Sequence, residues 1–145
     1  MRPQKSTGAA ALSLALACML LPRTGLGQAP CPSATVIQAA HLIGQWQVTL
    51  HTPTPEQWTL DLQAHPEHTG SLKGSLVQGI RRALVVADWD DGEFTMEESL
   101  DGQRIAATWQ GQATEGQCGR QIEGSRVQGE PSPPTRFTMR SSHLP

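Results

Sequence analysis

The sequence predicts an all-β fold, an antiparallel up-and-down barrel of about eight short strands held by one disulfide. Apolar and polar residues alternate through most segments after residue 41, which is typical of strands with one buried face. Turn-forming residues separate these segments at roughly ten-residue spacing, as in an all-β barrel or sandwich. Nearly every connection resembles a tight hairpin, and closure removes exposed sheet edges, so we expect the barrel.

The first predicted strand, Leu42–Leu50, shows the alternation most clearly, with Trp46, Val48 and Leu50 on one face. The other predicted strands are 57–63, 71–78, 80–88, 93–99, 103–110, 117–127 and 136–140. Segment 80–88 is apolar on both faces at its centre, which predicts the least exposed strand. Asp91-Gly92 and Asp101-Gly102 each predict a two-residue hairpin turn, because Gly supplies the positive φ.

Residues 1–27 are predicted to be a secretory signal peptide. Arg2 and Lys5 precede the apolar run Ala9–Leu21, which is shorter than the roughly 20 residues of a transmembrane helix. In an alternative reading, Leu14–Cys18 resembles the lipobox of bacterial lipoproteins, and Cys18 would then carry a lipid anchor. We therefore expect a periplasmic or secreted protein, with the membrane-anchored lipoprotein as the alternative.

The expected mature chain has an N-terminal entrance segment at 28–40, with one short helical turn, and a barrel domain at 41–145. Its two cysteines, Cys31 and Cys118, predict a disulfide, because exported proteins meet an oxidising environment. The two lie 87 positions apart, a loop whose closure would stabilise the fold by up to about 4–5 kcal/mol.

Charge narrows the classes of partner. Without the leader, eight Lys and Arg face thirteen Asp and Glu, a net charge of −5. Such a balance lacks the basic surface of a nucleic-acid-binding protein, and the chain has no basic amphipathic helix for an anionic membrane. We expect a small apolar ligand or a protein as the partner.

The motif Gly44-Gln45-Trp46 resembles the Gly-x-Trp signature of the lipocalin and avidin (calycin) group. This resemblance implies an eight-stranded barrel closed at one end by Trp46, and a carrier of a small ligand. The start of the strand, Leu42–Trp46, also resembles small periplasmic barrels that inhibit secreted metalloproteases of the producing bacterium. The chain departs from avidin-type biotin sites in having no Tyr, and from the inhibitors in pairing an early cysteine with a late one.

Two polar stretches of the sequence lack the ligand spacing of a metal site. In the acidic stretch 88–93, Gly92 is the fifth residue and Ser99 the twelfth, whereas a calcium loop needs Gly sixth and Glu twelfth. His65 and His68 share a turn without a third ligand at a zinc spacing. The sequence predicts no metal and no cofactor.

Catalytic motifs are also missing from the sequence. It contains no Gly-x-Ser-x-Gly nucleophile elbow, and Glu97 and Glu98 point to opposite faces of a strand, so they cannot act as a pair. We therefore expect no catalytic residues, and a binding protein that is not an enzyme.

Two binding hypotheses remain. A lipocalin-like carrier would hold a small, partly apolar ligand among Trp46, Trp58 and Trp109, in space left by small interior residues such as Gly74 and Gly124.

A protein-binding module, such as a hydrolase (protease) inhibitor, would instead have a filled interior. It would use an exposed Trp89 with Asp90 and Asp91 in the acidic hairpin, or the N-terminal segment.

Overall fold

The computed structural model describes residues 31–142, which form a closed barrel of eight antiparallel strands. Each strand pairs with the next, and β1 pairs with β8, so the described sheet has no free edge. The strands are β1 Gly44–Leu50, β2 Glu56–Ala64, β3 Ser71–Gln78, β4 Arg81–Asp90, β5 Glu93–Ser99, β6 Ile105–Ala113, β7 Gln121–Val127 and β8 Thr135–Ser141. The predicted fold class and strand order are confirmed. The predicted signal peptide and Cys18 lie outside the described residues.

The two ends of the barrel differ. Two short 3-10 turns, Ala34–Val36 and Ala39–Leu42, precede β1 and bury Ile37 and Leu42 against the core. We call this the capped end; it also holds the hairpin between β4 and β5. The opposite end, with the connections β3–β4 and β5–β6, is the open end.

The barrel interior is filled by one cluster of side chains from all eight strands. Alternation supplies them, since inward positions of each strand are buried and outward positions are not. The buried strand residues include Trp46, Val48, Leu50, Trp58, Leu60, Leu62, Leu72, Leu76, Ala83, Val85, Ala87, Trp89, Phe94, Met96, Trp109, Ile122, Phe137 and Met139.

Glycines let neighbouring strands approach each other closely. A Cβ at Gly74 would lie 1.8 Å from the Asp61 carbonyl oxygen, and one at Gly124 would lie 2.0 Å from that of Gln110. The expectation that these glycines leave room for a ligand is wrong, because backbone occupies the space. Glycine here allows the sheet to curl.

Several local expectations need correction. Asp91-Gly92 forms the predicted two-residue turn, with φ of 45° and 89°. Asp101-Gly102 does not: β5 ends at Ser99 and β6 begins at Ile105, which leaves a five-residue loop. β4 is not the least exposed strand, since Leu84 and Val86 point outward into solvent. A single-layer barrel has nothing to cover that outer face.

Cys118 lies in the turn before β7 and not in the strand itself, which begins at Gln121. It pairs with Cys31 as predicted, with the two Cα atoms 4.6 Å apart. Within the described residues, no helix is long and apolar enough to cross a membrane.

Candidate functional site

The capped end is held shut by backbone and indole contacts. The Trp46 indole N–H donates to the Leu42 carbonyl oxygen at 2.8 Å, and the Trp89 indole N–H donates to that of Ile37, also at 2.8 Å. The Cys31–Cys118 disulfide joins the first described residue to the β6–β7 turn. The N-terminal segment is thus built into the wall of the capped end.

The acidic hairpin sits beside this segment. A Cβ added at Gly92 would lie 3.1 Å from the Ala34 side chain, and the Asp90 and Asp91 side chains are exposed. Trp89 is only 9% exposed, so the expectation of an exposed aromatic anchor is wrong. It shares the inward parity of Ala83, Val85 and Ala87. A protein-binding role for Trp89, Asp90 and Asp91 stays a prediction.

The turn at His65–His68 is organised by hydrogen bonds. His65 Nδ1 accepts from the backbone N–H groups of Glu67 and His68, at 3.2 and 3.1 Å. These bonds use the lone pair that a metal would need. Among residues 31–142, no group of three or more His, Cys, Asp or Glu side chains is placed to hold a metal ion.

The three tryptophans predicted to bind a ligand are all buried, at different depths. Trp46 lies near the capped end and Trp58 near the open end. Trp109 lies between them and makes an edge contact with Phe137, the ring centroids 5.0 Å apart. Of the three, only Trp58 lines the depression at the open end. Their role in ligand binding stays a prediction.

That depression, here called the mouth depression, has a volume of about 420 Å3. Its apolar lining is Leu50, Trp58, Ala83 and Leu100, and its polar lining includes Glu56, Arg81, Arg82, Glu98, Arg126, Gln128 and Thr135. This volume is in the range of small-ligand sites, which begins at about 300 Å3.

A buried ion pair lies in the mouth depression. Arg126 donates from Nε and Nη2 to the two Glu98 carboxylate oxygens, at 2.9 and 3.0 Å. The Trp109 indole N–H donates to the same carboxylate at 3.0 Å. The side chains of Arg126 and Glu98 are only 10% and 4% exposed. The Glu98 carboxylate thus accepts three hydrogen bonds, two of them from a guanidinium, and these offset part of the cost of burying it.

Sequence reasoning missed this pair. Glu98 shares the parity of Phe94 and Met96, which signals an inward position. Its partner lies on β7, two strands away around the barrel, and alternation along one strand cannot identify such a neighbour.

A second concave surface, here called the outer groove, runs over the outside of β2–β6 and has a volume of about 570 Å3. Its exposed apolar residues are Leu84, Val86 and Ile105. Its charged lining carries both signs: Asp61, Lys73, Arg82, Glu97 and Arg104.

The β5–β6 loop forms one wall of the outer groove. A Cβ at Gly102 would lie 3.3 Å from the Leu84 Cδ1 atom, so the loop folds against this side chain. Asp101 fixes the loop, because its carboxylate accepts from the backbone N–H groups of Gln103 and Arg104, at 2.9 and 2.8 Å. The bonds from Arg104 and Gln103 lower the pKa of Asp101 to about 2.

No protein-family model matches the chain, and no curated protein matches its sequence. The barrel is compatible with a calycin-type fold, and this compatibility concerns architecture alone.

Proposed function

We propose that this chain is an exported, non-enzymatic protein-binding module that docks its partner on the outer groove. The observation that carries the proposal is the contrast between a filled interior and the exposed apolar residues Leu84, Val86 and Ile105 in one groove. Apolar side chains grouped on the surface mark interaction sites more often than scattered ones do.

Closure of the barrel determines how a partner would bind. With β1 paired to β8, no edge strand in the described sheet can accept a strand from another chain. A partner would therefore bind through contacts with side chains and not by strand addition. The outer groove offers an apolar floor for an anchoring side chain and charges of both signs around it, the arrangement of an interface core with a polar rim.

Export is part of the proposal. The apolar segment before residue 28 and the Cys31–Cys118 pair both support it, since disulfides persist in oxidising compartments. The intact mass of the protein from its own cells tests this point: a chain beginning at Gln28 or at a lipid-modified Cys18 supports export, and a chain retaining Met1 contradicts it.

A secreted hydrolase, a protease above all, is the partner class implied by the likeness of Leu42–Trp46 to metalloprotease-inhibiting barrels. The filled interior favours this proposal over a small-ligand carrier, because side chains and close-packed backbone occupy the space in which a carrier would hold its ligand. In the part of the chain that the structure describes, the mouth depression offers a concave surface of small-ligand size at the open end.

The docking proposal is tested by affinity capture from the exported fraction of its own cells, with three versions of the protein. Wild type and the control Gln47→Glu should retain the same partner, because Gln47 faces outward on β1, opposite β5 in the barrel. The double variant Leu84→Glu, Val86→Glu should lose at least about 90% of it, since two buried carboxylates would oppose docking. Equal capture by all three, or no partner above background, would overturn the proposal.

A further inference from the structure

We infer that the mouth depression is a binding site for a carboxylate carried beside an apolar group, with Arg126 as the residue that receives the carboxylate. This site lies at the open end and shares only Arg82 with the lining of the outer groove. None of the apolar residues proposed for docking belongs to it, so the inference does not depend on the proposed docking function.

Arg126 is held in place with one nitrogen left over. Nε and Nη2 bond to Glu98, whereas Nη1 has no hydrogen-bond partner within residues 31–142. Nη1 is also not among the fully buried polar atoms without a partner, so it retains some exposure to solvent, and Arg126 lines the depression. A guanidinium fixed along one edge and open along another is suited to receive an acceptor at the open edge.

Contacts with Glu98 and Trp109 hold the Arg126 guanidinium in a fixed orientation. Glu98 holds it through two parallel bonds, and Glu98 itself is fixed by the Trp109 indole. The guanidinium also lies 5.3 Å from the centroid of the Trp109 ring. An incoming acceptor would therefore meet an ordered donor and would not bear the entropic cost of ordering it.

The charges in the depression favour an anion. Arg126 is neutralised by Glu98, and Arg81 pairs with Glu56 at 3.1 Å. Arg82 lines the same depression and has no ion-pair partner in the described part of the chain. The lining thus carries one cation in excess, which a carboxylate would balance.

The apolar walls define the rest of the ligand. The apolar residues that surround the Glu98–Arg126 pair in the depression are Leu50, Trp58 and Leu100. Arg81 lies 4.7 Å from the centroid of the Trp58 ring, so that ring is partly covered. The exposed Leu100 can close over a short aliphatic chain or ring. A free organic acid and a peptide chain end with an apolar last residue both present this chemistry.

An NMR titration of the full protein with octanoate tests the inference. The Trp58 indole signal at the mouth should shift and saturate, while the Trp46 and Trp89 indole signals at the capped end should not. Octanamide, which lacks the charge, should bind at least about tenfold more weakly, because hydrogen bonds to charged groups are the stronger ones. N-acetyl-glycyl-leucine tests the chain-end source; saturable binding of either acid supports the site, and the tighter one identifies the source.

Two variants distinguish binding in the mouth depression from nonspecific binding of octanoate elsewhere on the protein. Leu100→Glu places a carboxylate at the rim of the depression without touching the core, and should weaken octanoate binding about twofold to fivefold. Gln47→Glu adds the same charge on the outer face of β1, away from the lining of both concave surfaces, and should leave octanoate binding unchanged. Arg126→Lys, if its near-UV spectrum shows a folded protein, should reduce the preference for acid over amide, because a lysine ammonium bonded to Glu98 has no second fixed donor edge.

Three results would each overturn the inference: no saturable shift of Trp58 with either acid, equal binding of octanoate and octanamide, or equal effects of the Leu100 and Gln47 variants. The docking proposal fails on a different observation, the capture of a partner by the Leu84 and Val86 double variant. The two failures are therefore distinguishable.

Discussion

The two ends of the barrel cover the apolar core in different ways. At the capped end, Ile37 and Leu42 cover the core, two indoles bond to the covering backbone, and a disulfide anchors the segment. At the open end, a buried ion pair, Glu98–Arg126, lies where further apolar cover would otherwise be needed. The comparison indicates that the capped end is built for stability, and that the open end retains polar groups that stability alone does not require.

Removing one member of the buried pair should have the largest effect. Arg126→Met leaves the Glu98 carboxylate buried without its cation, and should lower the free energy of unfolding by about 3–5 kcal/mol. The double variant Glu98→Met, Arg126→Met should recover most of that loss, because well-packed apolar residues often replace a buried pair at little cost. Urea denaturation measures both; a double variant as unstable as the single one would show that the pair itself stabilises the fold.

The disulfide should come next. Replacing Cys31 and Cys118 by Ser releases an 87-residue loop and should cost about 2–5 kcal/mol. Hydrogen exchange should then rise first in residues 34–42, while the strand ends at the mouth remain protected. An equal rise of hydrogen exchange at both ends would contradict a local role for the disulfide.

The indole bonds allow a matched comparison of the two ends. Trp89→Phe leaves the buried Ile37 carbonyl without its donor and should cost about 1–3 kcal/mol. Trp58→Phe removes a bond to Glu56, whose side chain is partly exposed and can bond to water instead, and should cost less. Equal losses in urea denaturation would remove the distinction between the ends.

The smallest effect concerns the loop at the open end. The folded-state pKa of Asp101 is about 2, below the ordinary 3.8, so its ionised form stabilises the loop. That contribution is fully present above pH 3.8 and is lost as the pH falls through about 2. The amide signals of Gln103 and Arg104 should titrate with a midpoint near 2, and Asp101→Asn should abolish this titration. A midpoint near 3.8 would mean that the loop is not held by its carboxylate.

The alternation of apolar and polar residues was enough to predict the architecture, because the pattern within each strand identifies the face of that strand that is buried. The same parity, carried from Ala83 to Trp89, would have placed that indole inside; the acidic neighbours Asp88 and Asp90 suggested exposure instead. Contacts between side chains of different strands cannot be predicted in this way. The Glu98–Arg126 bond joins inward side chains of β5 and β7, which lie on either side of β6, and no single segment encodes that neighbour.

Hairpin signals show the same limit on a smaller scale. Asp91-Gly92 and Asp101-Gly102 look alike in sequence, yet only the first forms a two-residue turn. At Asp101 the side chain bonds to backbone N–H groups two and three residues on, which stabilises a wider loop. That loop is one wall of the outer groove, so the candidate docking surface could not have been predicted from the turn motif.

Both termini of the described chain leave the barrel at the same end. Cys31 is fixed to the β6–β7 turn there, and the Ser142 backbone N–H donates to the Gln45 carbonyl oxygen at 2.8 Å beside it. A tether attached to either terminus, whether a purification tag, a sensor surface or a lipid, would hold the molecule by its capped face. The mouth would then point away from the support, so the protein can be immobilised in one orientation with its candidate ligand site accessible.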